Sequence, residues 1–232
     1  VNAGGRVGES WLGAALLSTE DEGKAVEIAQ RLDVYNQERR SIEAACLQSA
    51  IDIVGSNANR NFAYAGSTEW HPGVIGIVAG RLRERFNRPS CVVAYDGDHG
   101  KGSGRSVKGF DLGAAIVAAR QAGLLSSGGG HAMAAGFVIQ RNNEQSFCSF
   151  MTERIGDLQR ELTPVYRIDG AVQPIGANNE FLTAIERLAP FGSGNPQPRF
   201  VFPRVRIVKA QQVGSDHVLS LIHISEPTRL AI

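Results

Sequence analysis

The residue types best suited to chemistry concentrate in Gly128-Gly129-Gly130-His131-Ala132-Met133-Ala134-Ala135-Gly136. Three successive glycines let backbone N–H groups converge on an anion with no Cβ in the way, and His131 adds a side-chain donor beside them. The same residues also suit a tight turn around a hydrogen-bonded core histidine, and the run by itself does not separate the two. A second segment, Lys101-Gly102-Ser103-Gly104-Arg105-Ser106, alternates glycines with a hydroxyl and a guanidinium. Arg105 offers a planar fork to a phosphate, with Ser103 beside it. The spacing is not that of a P-loop, and in isolation the segment reads more readily as the polar end of a hairpin.

Two weaker signals accompany these. Trp70-His71-Pro72-Gly73 leads into a segment carrying Arg81, Arg83 and Arg85. Trp70 can stack on a base while arginines meet phosphates; a core tryptophan and a solvated helix face explain the same residues equally well. Arg83 is read as part of that solvated face, whereas Arg81 and Arg85 stay open. Asn2-Ala3-Gly4-Gly5-Arg6 is a glycine-rich turn ending in a guanidinium. Against these stands what is missing. Asp98-His99 and Asp216-His217 are isolated pairs, while two-metal phosphodiester hydrolysis needs several carboxylates and imidazoles around ions about 4 Å apart. No G-x-S-x-G elbow or Cys/His nucleophile arrangement substitutes for them. Cys46, Cys91 and Cys148 are far apart and apolar-flanked, which suits neither a zinc site nor a disulfide scaffold and fits a reducing cytoplasm.

The elements that must position these residues follow from periodicity. Across 232 residues, 43% hydrophobic content supports a proper core, and a formal charge of +1 means that any grip on nucleic acid has to be local. Mean hydropathy is -0.12, and no apolar run is long enough to span a membrane. The start has neither an initiator Met nor a signal-like stretch, so the chain reads as the middle of a longer one. Thr19-Glu20-Asp21-Glu22 has the form of a capping box with Thr19 at the N-cap. Behind it, Ile28, Leu32, Tyr35, Ile42 and Cys46 trace one apolar stripe on a helix running to about Val54, roughly 50 Å long. A short strand at Phe62-Ala65, a helix from about Gly73 to Phe86 with Pro72 in its first turn, and a buried strand at Ser90–Tyr95 come next. Lys101–Ser106 reads as a glycine-broken segment and Ser126–Gly130 as a flexible loop. Asp111 caps a helix reaching Gly123, Phe137–Ile139 is a strand, and a helix spans about Asn143–Leu162. Strands alternating with helices predict an α/β domain. From Tyr166 onward, short β-like pieces (Tyr166–Val172, Phe200–Phe202, Val205–Val213) around one helix and a Pro/Gly-rich linker predict a small, incomplete β-barrel.

In this order the segments resemble the RecJ branch of the DHH phosphoesterase superfamily. Asn2–Gly8 is similar to the Asn-Ala-x-Gly-Arg-x-Gly segment closing that family's catalytic domain, and Trp70–Ala79 to its Trp-His-x-Gly-Val-x-Gly-Ile-Val-Ala run. Gly102–Ser106 and Gly129–Gly136 resemble the two substrate loops of the DHH-associated domain. Leu188-Ala189-Pro190-Phe191-Gly192-Ser193-Gly194-Asn195-Pro196 is similar to the family's approach to an OB-fold, a barrel type that commonly binds single strands. The resemblance implies an α/β fold: a mixed-sheet DHH-associated domain preceded by a linking helix and followed by a truncated OB-like barrel. It divides the chain into the end of a DHH domain (1–18), a linking helix (19–55), the DHH-associated domain (56–163), the start of an OB-like domain (164–218) and a tail (219–232). That tail resembles an in-frame translation of a sequencing-library adapter, so it is expected to be an assembly artefact.

The implied activity is 5′-end hydrolysis of single-stranded DNA with Mn²⁺ or Mg²⁺, in DNA repair or recombination. The resemblance places the metal ligands upstream of Val1, so the chain alone is expected to bind no metal and cut nothing. What carries over is grip. Arg105 and Ser103 are candidates for a phosphate, Gly129, Gly130 and His131 for the phosphate near the scissile bond, and Arg6 and His71 for support at the domain junction. Single-stranded DNA is the implied partner, with no membrane involved. Two other readings stay open: a DHH-family phosphodiesterase of short oligonucleotides or cyclic dinucleotides, and a non-catalytic single-strand-binding module.

Overall fold

The computed structural model describes residues 2–56, 61–156, 166–203, 205–214 and 217–223. The chain divides into two compact units, Val1–Pro164 and Val165–Ile232. In the first, two short helices, α1 (Gly4–Val7) and α2 (Leu12–Ser18), precede the long helix α3 (Glu22–Gly55). Asp21, not Thr19, caps α3: its carboxylate accepts the Lys24 amide at 3.1 Å, while the Thr19 hydroxyl accepts the Asp21 amide at 3.2 Å. Asp21 takes the extended backbone a cap requires, which moves the start of the helix two residues past the expected one. The expected stripe is the inward face, with Leu32 and Cys46 buried and continued by Ala50 and Val54.

A five-stranded mixed sheet follows, in spatial order β1-β2-β3-β5-β4. Its strands are β1 (Ala63–Ser67), β2 (Ser90–Asp96), β3 (His99–Arg105), β4 (Ser127–His131) and β5 (Ala134–Gln140). β1 and β2 run parallel, joined by helix α4 (Ile75–Phe86), and the other pairs are antiparallel. Helices α5 (Leu112–Gln121) and α6 (Glu144–Ile155) complete the layer structure. One core packs α3 and α4 on the sheet through Cys46, Ala50, Val78, Leu82, Val92 and Ala94. The other packs α5 and α6 on the opposite face through Ile116, Phe137, Ile139, Phe147 and Met151. Asp111 caps α5 as expected, accepting the Ala114 amide at 2.9 Å.

Four local expectations change. Helix α4 starts at Ile75 and not at Gly73, because His71 closes a turn in front of it: its Nδ1 accepts the Gly73 amide and its carbonyl the Val74 amide. Lys101–Arg105 is a regular strand. A Cβ on Gly102 would meet the Phe137 ring at 2.3 Å, and one on Gly104 would meet Leu112 and the Cys91 sulfur at 2.8 and 2.9 Å. These glycines make room for the α5/α6 core, and alternation sends Ser103 and Arg105 to the other face. Ser127–His131 is likewise a strand and not a flexible loop, paired along its length with β5. The sequence-predicted helix over 143–162 is α6 within Glu144–Ile155, and its residues beyond 156 lie outside the described ones.

In the second unit, β6 (Gly170–Ala171) pairs in parallel with β7 (Phe200–Val201), and β8 (Arg206–Val213) pairs antiparallel with β9 (His217–His223). Helix α7 (Asn179–Glu186) is capped by Asn178 and sets Phe181 edge-on against Phe200 at 4.9 Å. Among the described residues these strands form two separate ladders and no closed barrel. β9 runs on past Val218, where the sequence reading ended the native domain.

Candidate nucleic-acid interface

Two arginines from distant parts of the sequence meet at the start of α4. A Cβ on Gly76 would lie 3.1 Å from the Arg105 Nη2 and 3.2 Å from the Ser103 hydroxyl, so glycine at this position lets α4 sit directly on the β3 side chains. Arg105 is held in place by its own strand, donating from Nη1 to the Gly104 carbonyl at 2.8 Å and to the Ser103 hydroxyl at 3.2 Å. One turn earlier, Arg6 donates to the Gly73 carbonyl at 3.4 Å. A Cβ on Gly73 would fall 2.0 Å from the Arg6 carbonyl, so backbone packs on backbone here. Arg6 also lines a cleft of ≈ 530 Å³ with Asp33, Asn36 and Arg39.

The electrostatics fit an anion-seeking surface. Partial burial lowers the Arg105 guanidinium below its usual range, and the positive charges of Arg6 and Arg83 lower it further. No carboxylate forms an ion pair with Arg6 or Arg105 among the described residues. Such a group of like charges gains when a phosphate joins it.

The sheet supplies a shelf beside this cluster. Paired residues across a ladder project to one face, which puts Arg105, Ala134 and His131 in one row, Ser103, Gly136 and Gly129 in the next, and Lys101, Val138 and Ser127 in a third. Helix α4 packs on this face against β2 and β3. Beyond it Lys101, Gly136, Ser127 and His131 are exposed, whereas on the opposite face Ala135, Phe137 and Ile139 are buried under α5 and α6. His131 ends β4 and its Nδ1 accepts the Met133 amide at 3.3 Å. With Nδ1 of both His71 and His131 acting as acceptor, the neutral ring of each carries its proton on Nε2, a donor available outward.

The expected residues are therefore partly united. Arg6, Ser103 and Arg105 gather around the start of α4, His71 shapes the turn leading into it, and His131 shares the Arg105 row. The glycine run departs from the expected anion nest. In a strand successive amides point to opposite edges, so those of Gly128, Gly129 and Gly130 do not converge. Gly129 lies on the shelf with nothing within 4 Å of a Cβ there, while Gly130 lies on the other face, where a Cβ on Gly113 of α5 would lie 3.0 Å from its carbonyl. Trp70 is buried in the α3/α4 core, as the plainer reading has it. Arg81 ion-pairs with Glu43 and Glu84. Arg83 is partly exposed and pairs with Glu84, in keeping with a solvated face, and its charge also acts on Arg105. Its place seven residues after Gly76 is the one signal that could have found it, since i and i+7 share a helix face.

Among the described residues no group of three or more His, Cys, Asp or Glu side chains is placed to hold a metal ion. Of the two Asp-His pairs, His99 bonds to Gln140, and Asp216 lies outside the described residues. No helix among them is long and apolar enough to cross a membrane. None of the three cysteines is in a disulfide, and all are buried; burial, then the Glu43 charge, pushes the Cys46 thiol up to about 12.

Comparison with known proteins places this architecture. Residues 59–157, which carry the mixed sheet and its open shelf, match the DHHA1 domain family, and residues 168–228 match the RecJ OB domain family. The chain is RecJ-like: a DHHA1 domain followed by a RecJ OB domain, homologous to RecJ exonucleases over most of its length. It is 31% identical to the single-stranded-DNA-specific exonuclease RecJ of Escherichia coli over 96% of this chain and 40% of that protein. It is 30% identical to the Bacillus subtilis protein of the same name over 93% of this chain and 28% of that one. The chain thus spans well under half the length of these relatives. Its fold superposes on the crystal structure of Thermus thermophilus RecJ in complex with Mn²⁺ with a TM-score of 0.76 at 27% identity, covering 100% of this chain and 35% of that one.

Proposed function

We propose that this chain is the DNA-gripping part of a single-strand-specific exonuclease that hydrolyses phosphodiester bonds from a 5′ end in DNA repair or recombination. The observation that carries the reading is the convergence of Arg6, Ser103 and Arg105 at the start of α4, beside a sheet face that the helices leave open. In this reading Arg105 and Arg6 neutralise one phosphate while the Ser103 hydroxyl adds a hydrogen bond. His131 donates from Nε2 to a neighbouring phosphate across the shelf. Gly129 keeps the floor between them clear, and Gly130 lets β4 close tightly on Ala134 and Ala135 of β5. His71 fixes the turn that presents the Gly73 carbonyl to Arg6.

Holding a diester in register is a large share of the catalytic task. Mn²⁺ or Mg²⁺, present in the solved relatives, would supply the Lewis acid and the activated water. The described residues do not fit such an ion, so no hydrolytic step is assigned to them, and the chain by itself is expected to bind without cutting. The RecJ OB match over residues 168–228 favours a long single strand over a short oligonucleotide or a cyclic dinucleotide, because OB-folds track extended strands.

The test is fluorescence anisotropy of labelled single-stranded and duplex DNA against the chain, with Arg105→Ala and His131→Ala alongside. The proposal requires binding that prefers the single strand, weakens with salt and falls in both variants. Equal affinity for duplex, or no loss in either variant, overturns it.

A further inference from the structure

Helix α4 presents a second basic position to the same face. Gly76, Gly80 and Arg83 are spaced i, i+4 and i+7, so they share one side of the helix. That side is fixed by Gly76, which rests against Ser103 and Arg105. At Gly80 a Cβ would meet nothing within 4 Å, so the helix flank between the two ends is open. Arg83 lies about 10 Å along the axis from Gly76, at 1.5 Å per residue. Its charge is felt at Arg105 together with that of Arg6. The Arg83 side chain is 35% exposed and held by its sequence neighbour, with Nη2 2.9 Å from the Glu84 carboxylate. Glu84 also lies 4.0 Å from the Arg81 guanidinium.

We infer that Arg83 is a further phosphate-positioning residue, engaging the strand one or two nucleotides from the phosphate held at Arg105, and that Glu84 competes with the strand for it. The inference rests on the proposed single-strand grip. The spacing suits it: neighbouring phosphates of an extended strand can meet one guanidinium from β3 (Arg105) and one from α4 (Arg83), and no atom stands within 4 Å of a Cβ at Gly80, on the helix side between them. When DNA arrives, the Arg83 guanidinium exchanges the Glu84 carboxylate for a phosphate oxygen, so in the empty site Glu84 holds Arg83 close to where it is used. An arginine–carboxylate contact between adjacent helix residues is exposed and weak, so the exchange has a small cost.

The experiment measures binding of a labelled oligothymidylate across a salt series for the chain itself, Arg105→Ala, Arg83→Gln, Glu84→Gln and the double variant Arg83→Gln/Glu84→Gln. Arg83→Gln is expected to weaken binding about three- to tenfold and to flatten the slope of log K against log salt by about 0.7, the share of one phosphate on a single strand. Glu84→Gln is expected to tighten binding about two- to threefold, and the double variant to match Arg83→Gln alone. A role for Arg83 in folding only would leave the salt slope unchanged. If Glu84→Gln tightens binding as much without Arg83 as with it, Glu84 acts by general repulsion and the competition is refuted. If Arg105→Ala weakens binding while Arg83→Gln changes neither affinity nor slope, the inference fails and the grip stands. If the chain does not bind, or Arg105→Ala has no effect, the grip itself fails and the inference with it.

Discussion

Gly76→Ala separates folding from grip. Glycine inside a helix costs up to about 1 kcal/mol relative to alanine, so on propensity alone the substitution stabilises α4. The new methyl would stand 3.1 Å from the Arg105 Nη2 and 3.2 Å from the Ser103 hydroxyl, closer than most carbon contacts. Both atoms end side chains that can give by a few tenths of an ångström, so the strain is expected to be smaller than the propensity gain. The net prediction is a stability change between zero and about +1 kcal/mol, or a melting temperature up to about 2–4 °C higher for a chain of this size. The same displacement pulls the guanidinium off the Ser103 hydroxyl, and charge-assisted hydrogen bonds are worth about 1.5–3 kcal/mol each. Losing roughly half of one contact lowers single-strand affinity about three- to tenfold. Thermal unfolding and anisotropy on the same preparation read the two effects independently. Unchanged affinity in a variant of equal or higher stability would show that the Arg105–Ser103 geometry is not what holds the strand. A drop of several degrees would instead show that the α4–β3 contact cannot yield.

Other outcomes follow from the same geometry. Gly102→Ala puts a methyl 2.3 Å from the Phe137 ring, and overpacking of this kind costs about 1–3 kcal/mol; urea unfolding should show the loss, and an unchanged midpoint would mean the ring has somewhere to go. Arg105→Lys should fail to restore the affinity lost in Arg105→Ala, because an ammonium cannot reach the Gly104 carbonyl, the Ser103 hydroxyl and a phosphate as a fork does; equal binding by lysine would reduce the site to a point charge. Alkali should destabilise the first unit. Burial raises the Tyr64, Tyr95, Cys46 and Cys91 acids above their ordinary values of 10.0 and 9.0. The folded state therefore keeps protons that the unfolded chain releases, so the stability they represent is intact below about pH 9 and falls as pH rises, by up to about 1.4 kcal/mol per pH unit for each group. A urea midpoint flat from neutral pH to beyond pH 10 would contradict this.

The apolar run of β2, the Asp111 cap and the inward stripe of α3 were legible because each is a local pattern with a local cause. The glycine-rich segments were not. In Gly102-Ser103-Gly104 and Gly128-Gly129-Gly130 composition signals a turn, while the strand state is set by residues far away in sequence: Phe137 and Leu112 demand the space at Gly102 and Gly104, and β5 pairs with the whole of β4. The site was half legible for the same reason. Arg6, Ser103 and Arg105 stand out by motif, but which side of α4 Arg83 occupies depends on where Gly76 lands on the sheet, a tertiary fact. The cap of α3 shows the limit at the finest scale, since Thr19 and Asp21 are both good caps and only the backbone chose between them.

Helix α3 ties the two arginines to a common frame. Leu32 and Tyr35, in its first half, seat the α1 segment through Gly4 and Gly8, and Cys46, Ala50 and Val54, in its second half, seat the sheet. Arg6 and Arg105 thus share a site only if the number of residues between those two contact sets is right. Adding one residue to the middle of α3 would rotate one end against the other by about 100° and shift it 1.5 Å, and even a seven-residue insertion that nearly restores the phase would move Arg6 about 10 Å from Gly73. The helix is therefore a gauge as well as a strut: its length, set by the two contact sets it joins, decides whether Arg6 reaches Gly73 at all.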